Sequence, residues 1–545
     1  MSERPPTLRQ TSLERLARAE FDVLVLGGGI NGAVSAAALS ARGAKVALID
    51  RGDFAGATSQ ASSNLAWGGI KYLETYEFGL VRKLCRSRNQ LIRSYPSTVQ
   101  EIRFYTAHPR GFRHGRLKLW LGAWLYWLIG NFFTRRPRLL SLPDIEREEP
   151  IVNPQGLDGG FEYSDAFLHD NDARFVWGFV RSALDHGCAA ANYVESLGAS
   201  REGGKWITRA RDVVSGRDLI IRSRLLINAC GPFADRLNAA SGVRTSHRHV
   251  FSKGVHIHVD RLTANRRVLT FFADDGRPFF VLPMGVKSCI GTTDTRVEEP
   301  VAEVTEEDRR FVLDNINKRL RLPRPLTERD IIAERCGVRP LVVAEGAAAD
   351  RDWMQLSRRH AIESDTALGH LTIFGGKITD CVNVGEEICG HAQRLGVSLP
   401  FADRLWYGEP PAIREEYFHQ ARLMDLDGMT SPQSSEKLST RLWRRYGPEA
   451  LGLLEAIRRD PRMAEVIIET SEYIRCELDE AARREMVVKL DDFLRRRSKI
   501  ALVVRREEIR RAAGLREACR ILFGDEAEAK LAEYFPELRP DVKSA

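Results

Sequence analysis

The glycines of Gly27-Gly28-Gly29-Ile30-Asn31-Gly32 are the first residues along the chain whose spacing points to chemistry. They match the pattern G-x-G-x-x-G, in which the first glycine makes a tight turn and the second lets backbone approach a pyrophosphate. The third glycine lets a helix pack on the preceding strand. An anion at that helix start meets N–H groups and the positive end of the helix dipole. Gly27, Gly29 and Gly32 therefore predict a dinucleotide site.

The flanking sequence supplies the elements that such a site needs. The apolar run 21–26 predicts a buried parallel strand, 30–40 predicts an alanine-rich helix, and 44–50 predicts a second strand. Asp50 ends that strand, where a carboxylate can accept hydrogen bonds from an adenosine ribose and disfavours the 2′-phosphate of NADP. The residues alone leave FAD and NAD both open, although the small residues Ala36 and Gly43 resemble the FAD-binding form of the motif.

Later segments predict how the rest of the fold is organised. The runs 225–228 and 371–374 predict buried strands that end in glycine, and 254–259 and 277–284 alternate as antiparallel strands do. From about residue 410 the chain is dense in Arg and Glu and predicts helices. We therefore expect an α/β protein with a discontinuous Rossmann-like domain, an inserted antiparallel-sheet substrate domain and a helical C-terminal domain.

Composition excludes several classes of protein. The 545 residues are 43% hydrophobic and 29% charged, which is typical of a globular protein and excludes wholesale disorder. Nine cysteines without a Cys-x-x-Cys pair predict neither a disulfide scaffold nor a metal site. The net charge of +8 is modest, and the arginine runs at 495–497 and 505–506 lie among acids. We therefore expect no nucleic-acid partner, and an RNA-binding or regulatory flavoprotein is the weaker alternative.

One apolar segment, 119–134, bears on membranes. It is shorter than the roughly 20 residues that cross a bilayer, and arginines flank it on both sides. Trp120, Trp124 and Trp127 recur at helical spacing, which favours an in-plane helix with indoles at headgroup depth. A buried core helix is the alternative. The first twenty residues contain no apolar stretch of a secretory signal.

Seven segments together resemble the FAD-dependent glycerol-3-phosphate dehydrogenase family, in family order from about residue 20 to 520. They are 57–74, 160–164, 253–256, 290–294, 337–340, 374–379 and 490–497. The resemblance implies FAD as cofactor and a small-molecule polyol phosphate as substrate, foremost sn-glycerol 3-phosphate oxidised to dihydroxyacetone phosphate. It also implies electron transfer to membrane quinone, or to oxygen in an oxidase branch, and a cytoplasmic enzyme peripheral on the inner face of the cell membrane. The oligomeric state stays open, a homodimer included.

The resemblance also implies domain boundaries and site residues. The FAD domain takes 20–85, 160–240 and 330–400, the substrate and membrane-facing domain takes 86–159 and 241–329, and the helical domain takes 405–530. Cofactor contacts are expected from Gly27, Gly29, Asn31, Gly32, Asp50, Thr58, Ser59, Ser62, Ser63, Gly231, Gly375, Gly376 and Lys377. Substrate contacts are expected from Lys71, Tyr72, Arg339, Arg358, Lys377 and Thr379.

Alcohol oxidation needs a base for the hydroxyl proton, and the candidate catalytic residues are His256, Arg339 and Lys377. His256 is favoured by the resemblance and by the near-neutral pKa of a histidine, although a histidine in an alternating strand is often structural.

The sequence departs from the family around the expected flavin and substrate pocket. Asn64 stands where Lys is usual, Trp67 where His is usual and Lys71 where Arg is usual, and Asp380-Cys381-Val382 replaces a Thr-Tyr-Arg type continuation. Lysine keeps the charge of arginine but loses its bidentate geometry. A flavin dehydrogenase is therefore a firmer prediction than its substrate. Another polyol phosphate such as a tetritol phosphate, or a non-phosphorylated hydroxy acid or amino acid, stays open.

Overall fold

The computed structural model describes residues 7–344, 360–432 and 434–538. The chain divides into two compact units, one of residues 15–408 and one of the described residues of 1–14 and 409–545. The first unit contains two β-sheets with helices, and all nine cysteines of the chain are free thiols.

The strands of the described residues carry the labels β1 to β18 in chain order. They are β1 (Glu20–Leu26), β2 (Val46–Ile49), β3 (Leu65–Ala66), β4 (Val99–Pro109), β5 (Arg138–Leu140), β6 (Leu157–Leu168), β7 (Ala189–Ala191), β8 (Val194–Glu202), β9 (Lys205–Asp212), β10 (Asp218–Asn228), β11 (His247–Asp260), β12 (Val268–Phe272), β13 (Pro278–Met284), β14 (Lys287–Gly291), β15 (Thr295–Val297), β16 (Ala333–Ala344), β17 (Ala361–Asp365) and β18 (His370–Phe374).

The α-helices of the same residues carry the labels α1 to α17. They are α1 (Leu8–Arg18), α2 (Ile30–Ala41), α3 (Phe78–Ser94), α4 (Arg116–Ile129), α5 (Leu142–Glu148), α6 (Asp172–Asp185), α7 (Ala234–Ala240), α8 (Glu306–Arg319), α9 (Cys381–Arg394), α10 (Pro411–Leu423), α11 (Leu438–Tyr446), α12 (Ala450–Arg459), α13 (Arg475–Arg484), α14 (Ile500–Val503), α15 (Arg506–Arg511), α16 (Leu515–Phe523) and α17 (Ala527–Tyr534).

The first sheet has the strand order β17-β18-β10-β1-β2-β7, and β18, β10, β1, β2 and β7 run parallel. Every residue of α2 is buried, because its alanines let it pack closely between α6 and α9. A parallel sheet covered by helices needs strands that are apolar on both faces, and β1 and β2 are such strands. The predicted strand–helix–strand opening is confirmed.

The second sheet has the order β15-β11-β14-β13-β12-β4-β6-β3, with β16 beside β11 and β5 beside β6. Its pairs are antiparallel as predicted, except that β4 and β12 run parallel. Apolar residues of β11 to β14 form a core with α8, in which Ile257, Phe271 and Val312 are buried.

The two sheets interleave along the chain. All of β3 and β16 and most of β6 fall in the ranges expected for the FAD domain, yet these strands pair in the second sheet. The chain therefore passes from β2 in the first sheet to β3 in the second within one of the expected domain ranges.

The C-terminal unit is helical from Pro411 onward, as predicted. Two apolar cores hold it together, one around Leu442, Trp443 and Leu454 and the other around Leu494, Ile500 and Phe535.

Helix α4 covers most of the predicted apolar segment, but it turns a different face to solvent from the one expected. Trp120, Trp124 and Trp127 are half-buried and pack edge to face on one another. The exposed apolar residues are four leucines, three of which each follow one of these tryptophans, and one phenylalanine after the helix. They are Leu117, Leu121, Leu125, Leu128 and Phe132. We call these five the leucine stripe. Among the described residues, none of the helices has the length and apolar character needed to span a bilayer.

Candidate active site

The glycine turn between β1 and α2 is closed by backbone contacts. Gly27 has φ 97°, and its N–H donates to the Ile49 carbonyl at 2.8 Å. A Cβ at Gly27 would lie 2.7 Å from the Ala229 carbonyl oxygen, and one at Gly32 would overlap the Gly27 carbonyl oxygen. Glycine is therefore required at both of these positions.

The first turn of α2 is available to an anion. Gly29 is the N-cap and makes no side-chain capping bond. A Cβ there would meet only Ser59 Oγ, at 3.3 Å, and that hydroxyl accepts the Ile30 N–H at 3.0 Å. The first N–H groups of a helix need partners from outside it, and the dipole favours a negative one.

Asp50 ends β2 beside this turn. Its carboxylate accepts the Gly28 N–H at 2.6 Å and the Gly52 N–H at 2.8 Å. Burial raises the pKa of Asp50 to about 6, although both hydrogen bonds oppose the rise. The carboxylate is thus mostly ionised at neutral pH and is held at the turn by backbone donors.

The carboxyl ends of β10 and β18 meet the glycine turn at the same edge of the first sheet. Gly231 has φ 54°, and nothing lies within 4 Å of a Cβ built on it. The Asn31 side-chain amide donates to the Gly375 carbonyl at 2.8 Å, and its buried Oδ1 has no partner within the described ranges. A Cβ on Gly376 would come within 2.8 Å of that Oδ1. Predicted cofactor residues from three distant segments therefore lie together.

The segment after the turn ties the first sheet to the second. Thr58 Oγ1 donates to the Val338 carbonyl at 2.6 Å, and the Ser62 N–H donates to Asp172 at 2.8 Å. Ser63 Oγ lies 3.0 Å from His256 Nε2. The Ser62 N–H and the Ser63 hydroxyl thus contact Asp172 and His256, whereas the sequence predicts cofactor contacts for both serines.

His256 lies between two arginines on one face of the paired strands β11 and β16. Arg335 is directly opposite His256 in the register, and the Arg339 guanidinium covers Gly254 and donates to Thr292 Oγ1 at 2.9 Å. Burial, Arg339 and Arg335 hold the pKa of His256 well below its usual 6.5. The imidazole is therefore neutral at physiological pH.

Two lysines flank an aromatic ring at the end of the same site. Lys377 Nζ donates to the Tyr72 hydroxyl at 2.8 Å and lies 4.3 Å from the centre of its ring. Lys71 Nζ lies 5.5 Å from that ring centre. We call Lys71, Tyr72 and Lys377 the lysine cluster. Thr379 is adjacent, since its hydroxyl donates to the Trp67 carbonyl at 3.1 Å.

Trp67 contacts both Thr379 and the sheet face that carries His256. The Trp67 ring packs edge to face on Phe280, with 6.5 Å between centroids. Phe280 is opposite Gly291 in one strand pair, and Gly291 is opposite His256 in the next. Directly opposed residues share a face, so His256 and Phe280 lie on one face of the sheet, two strands apart.

Two family models match the chain. The model described as FAD dependent oxidoreductase matches residues 22–363, and the model described as the C-terminal domain of alpha-glycerophosphate oxidase matches residues 411–519. The chain belongs to the FAD-dependent oxidoreductase family. FAD is accordingly its cofactor, and the predictions of FAD and of an oxidoreductase are confirmed.

Individual relatives agree with this assignment. The aerobic glycerol-3-phosphate dehydrogenase of Staphylococcus aureus (strain USA300) is 28% identical over 521 residues, which cover 90% of this chain and 88% of that protein. The glycerol-3-phosphate dehydrogenase of Bacillus halodurans, solved with FAD, has TM-score 0.71 at 21% identity and covers 97% of this chain and 94% of that one. The L-alpha-glycerophosphate oxidase of Mycoplasma pneumoniae, solved with FAD, has TM-score 0.52 at 17% identity and covers 72% and 97%.

The residues of this FAD-dependent oxidoreductase fit the cofactor. The open backbone at Gly29 and Gly231 leaves space for a pyrophosphate to approach N–H groups, and Asn31 Oδ1 is a buried acceptor without a protein donor among the described residues. Gly29 and Gly231 would hold the pyrophosphate region and Asp50 the ribose, while Gly27 makes the turn that positions them. Flavin supplies hydride acceptance to such a site.

Sequence reasoning missed Arg335. Its side chain is fully buried and donates to Asn64 Oδ1 at 2.6 Å and to the Ser62 carbonyl at 2.7 Å. Arg335 and Arg339 are four residues apart in a strand, so both lie on one face. That alternation was the available signal. Arg335 places a cation beside Asn64, the position where lysine is usual in the resembled family.

A buried network behind Gly68 was also missed. Asp165 accepts the Gly68 N–H at 3.0 Å and the Tyr126 hydroxyl at 2.7 Å, and Arg88 lies 3.7 Å from it. Burial raises the pKa of Asp165, although Arg88 and the hydrogen bonds oppose the rise. Through Asp165, the network ties Gly68 to Tyr126 of α4, and Gly68 begins the loop that carries Lys71 and Tyr72. No local sequence motif marks this network.

Asp380, one of the departures from the family, has a local role. It lies 2.9 Å from His360 Nδ1, and Glu387 lies 2.8 Å from His360 Nε2. Burial lowers the pKa of His360, but hydrogen bonds to the two carboxylates outweigh burial and raise it to about 9. Arg358, a predicted substrate contact, lies outside the described residues.

Proposed function

We propose that this FAD-dependent oxidoreductase oxidises a polyol phosphate, foremost sn-glycerol 3-phosphate to dihydroxyacetone phosphate. The observation that carries the proposal is a neutral histidine on the sheet face against which Trp67 packs, while Thr379, two residues after Lys377, donates to the Trp67 carbonyl. The names of the Staphylococcus, Bacillus and Mycoplasma relatives support glycerol 3-phosphate as the compound.

The cations suit a phosphate dianion. Lysines 71 and 377 both present ammonium groups as point charges beside the Tyr72 ring, and charge-assisted hydrogen bonds to phosphate are stronger than neutral ones. Arg339 lies on the His256 face and holds a position suited to the developing oxygen anion at carbon 2. Glycerol 3-phosphate carries its phosphate on carbon 3 and the hydroxyl to be oxidised on carbon 2. The two lysines would therefore bind the phosphate, and Arg339 would face the oxygen of carbon 2.

His256 is the proposed base. A neutral imidazole accepts the hydroxyl proton of carbon 2 while the hydride of that carbon leaves for the flavin, so the alcohol loses one proton and one hydride and becomes the ketone. Ser63 holds the ring at Nε2. Arg335 and Arg339 disfavour the protonated ring, which favours release of the proton after each turnover.

Anaerobic titration of the flavin absorbance tests the substrate. Glycerol 3-phosphate should bleach the oxidised flavin at concentrations where glycerol and a hydroxy acid such as lactate do not. A tetritol phosphate that bleaches the flavin at a lower concentration than glycerol 3-phosphate would transfer the assignment to the larger substrate. Bleaching by glycerol as readily as by its phosphate would contradict the role of the lysine cluster.

We also propose that the enzyme works at a membrane surface and passes its electrons to quinone rather than oxygen. The leucine stripe supports this, because α4 exposes a line of large apolar side chains between arginine-rich flanks. Hydrogen peroxide release during turnover measures the acceptor: little peroxide in air together with rapid reduction of a quinone is expected.

Vesicle sedimentation tests the surface. Leu117→Gln, Leu121→Gln and Leu128→Gln combined should leave the enzyme in the supernatant, since each buried leucine contributes up to about 2 kcal/mol to partitioning. A control variant with leucine replaced by glutamine at Leu197, Leu405 and Leu423, which are also exposed, should bind vesicles as the parent does. Equal release by both triple variants would contradict a specific role for α4.

A further inference from the structure

The ring of the proposed base, His256, is enclosed by protein. The residue is 1% exposed, and its Nδ1 is buried with no hydrogen-bond partner in the described parts of the chain. Nε2 lies 3.0 Å from the Ser63 hydroxyl oxygen. Gly291 lies directly opposite in the next strand, and a Cβ added there would come within 2.6 Å of ring carbon Cδ2. Ser63 is therefore the polar group that meets a ring nitrogen.

Ser63 is the more accessible member of this pair. It is half-buried, whereas His256 is buried. After Ser63 the chain enters β3 and then reaches Trp67, whose ring packs on the sheet face that carries His256. A serine hydroxyl has one proton to donate and lone pairs that accept another. Ser63 can therefore donate its proton to Nε2 while it accepts a proton from a substrate oxygen.

The residues on either side of Ser63 are held in place. Arg335 Nη1 donates to the Ser62 carbonyl at 2.7 Å and to Asn64 Oδ1 at 2.6 Å. The Ser62 N–H donates to Asp172 at 2.8 Å, and the Asn64 N–H donates to the Ser62 hydroxyl at 3.0 Å. The segment is therefore fixed before substrate binds, so that the Ser63 hydroxyl stays at the ring. Proton transfer requires donor and acceptor to be within hydrogen-bond reach.

The titratable groups around the ring oppose a lasting positive charge on it. Those on its sheet face, with the carboxylates paired to them, are Arg335, Arg339, Asp172, Asp294 and His258. Arg335 lies 3.8 Å from Asp172, and Arg339 lies 3.2 Å from Asp294. Burial and the two arginines together hold the pKa of His256 well below 6.5. The ring is therefore neutral before turnover, and it releases its proton readily afterwards.

We propose that Ser63 is a catalytic residue that relays the hydroxyl proton of the substrate to His256. This inference rests on the proposed function, in which His256 is the base. The O–H bond at carbon 2 breaks as its proton passes to Ser63 Oγ, while the proton of Ser63 passes to Nε2. The hydride of carbon 2 leaves for the flavin. The alcohol becomes the ketone, the ring gains one proton, and the serine is unchanged.

Stopped-flow reduction of the FAD-loaded Ser63→Ala enzyme tests the relay. We expect the rate at saturating glycerol 3-phosphate to fall roughly 100-fold or more, with half-saturation and flavin content near the parent values. Ser63→Thr keeps a hydroxyl and should recover most of the lost rate. A parent-like rate in Ser63→Ala would overturn the proposal. Loss of flavin from Ser63→Ala would also overturn it, because the hydroxyl would then belong to the cofactor site.

Ser288→Ala is the matched control. Ser288 is a buried serine of β14, in the same sheet as His256, and its hydroxyl accepts the Leu262 N–H at 3.1 Å. The substitution removes one buried hydroxyl without touching the ring, so the parent rate should be kept. Equal slowing in Ser63→Ala and Ser288→Ala would overturn the relay, because disturbed packing of the sheet would then explain both.

The pH profile and a double variant separate a relay from a structural hydroxyl. Without the serine the alcohol must lose its proton to hydroxide, so the Ser63→Ala rate should rise with pH while the parent rate stays flat. His256→Gln should slow Ser63→Ala little further, because the substrate proton no longer reaches the ring. A slow Ser63→Ala with a flat pH profile, or full additivity of the two substitutions, would overturn the relay.

A measurement on the parent enzyme needs no substitution. Two protons move together in the relay, so the reduction rate in mixtures of H₂O and D₂O should follow a curve against the deuterium fraction. A straight line would indicate at most one moving proton and would overturn the relay.

Separate outcomes decide the relay and the proposed function. A parent-like rate in His256→Gln would overturn the proposed base and the relay with it. A slow His256→Gln beside a parent-like Ser63→Ala would retain the base and overturn the relay alone. If another alcohol reduces the flavin and glycerol 3-phosphate does not, the substrate assignment fails, and the same variants decide the relay with that alcohol.

Discussion

The glycine turn is built from backbone groups, whereas the lysine cluster is built from side chains. The first region joins β1 to α2 within six residues and depends on the absence of Cβ atoms at Gly27 and Gly32. The second brings together Lys71 and Lys377, which are far apart in the chain, through one tyrosine ring. Backbone N–H groups persist through most substitutions, but a side-chain site changes with each of its residues.

The difference explains where this chain departs from the family that it resembles. The glycine pattern is kept, while Asn64, Trp67 and Lys71 all differ from the usual residues. Each of the three lies in the half of the site made from side chains. Substitutions among these side chains can therefore change substrate specificity without changing cofactor binding. Variants at the glycine turn should affect flavin content, and variants at the lysine cluster should affect substrate binding.

The largest effect is expected from Gly32→Ala. The added Cβ overlaps the Gly27 carbonyl oxygen, so the helix and the turn must move apart and the pyrophosphate site is lost. We expect protein without flavin absorbance after purification. Gly178→Ala, in the neighbouring helix α6 where nothing lies within 4 Å of the new Cβ, should remain fully yellow. Full flavin occupancy in Gly32→Ala would show that the turn tolerates a side chain.

The contrast between the halves also determines what the sequence could predict. The strand–helix–strand opening, Asp50 and the glycine turn depend on spacings of a few residues, and they lie in the fold where the sequence predicts them. Gly231 and Gly375 could be placed because strands of a parallel sheet end at one edge.

The side-chain half was less predictable for a physical reason. Arg335 lies opposite His256 only because β16 pairs with β11, and Asp165 meets Gly68 only because β6 pairs with β3. No local pattern encodes such pairings. On α4 the sequence predicts the helical repeat but not the face that is exposed: the tryptophans pack inward and the leucines face solvent. Both sets recur at helical spacing, so only the tertiary fold selects between them.

The second largest effect is expected from His256→Gln. Loss of a base slows flavin reduction by roughly 100- to 10,000-fold, with the substrate concentration at half-saturation little changed. Stopped-flow reduction measures both. His258→Gln, two residues along the same strand and opposite Ala333, should stay near the parent rate. Equal slowing in both variants would indicate disturbed strand packing rather than a lost base.

The pH profile sharpens the role of His256. Because its pKa lies well below 6.5, the base form persists as pH falls through that value. The parent's reduction rate should therefore show no decline centred on pH 6.5. A decline with that midpoint, absent from His256→Gln, would mean that the ring titrates as an exposed histidine does and would contradict its burial beside Arg335 and Arg339.

A smaller effect, confined to the substrate, is expected from Lys377→Met. Loss of one charge-assisted bond to phosphate, about 1.5–3 kcal/mol, weakens saturation by glycerol 3-phosphate roughly ten- to a hundredfold. Lys45→Met removes an equal charge from an exposed position and should change nothing. If Lys377→Met instead loses its flavin, this lysine belongs to the cofactor half of the site.

The smallest effect is expected from Tyr72→Phe, which removes one hydroxyl and keeps the ring. Lys377 then loses its 2.8 Å hydrogen bond but stays 4.3 Å from an aromatic face. A net hydrogen bond contributes about 0.5–1.5 kcal/mol, so half-saturation by glycerol 3-phosphate should rise roughly two- to tenfold. Flavin content should not change, because the hydroxyl positions a substrate cation and nothing at the glycine turn.

The double variant decides how Tyr72 acts. If the hydroxyl works only by holding Lys377, then Tyr72→Phe should cost nothing further in a Lys377→Met background, and the two effects should not add. Full additivity would mean that the tyrosine hydroxyl contacts the substrate on its own account. Loss of flavin in Tyr72→Phe alone would contradict the separation of the two halves, because a single side-chain hydroxyl would then support a cofactor site that backbone groups are proposed to hold.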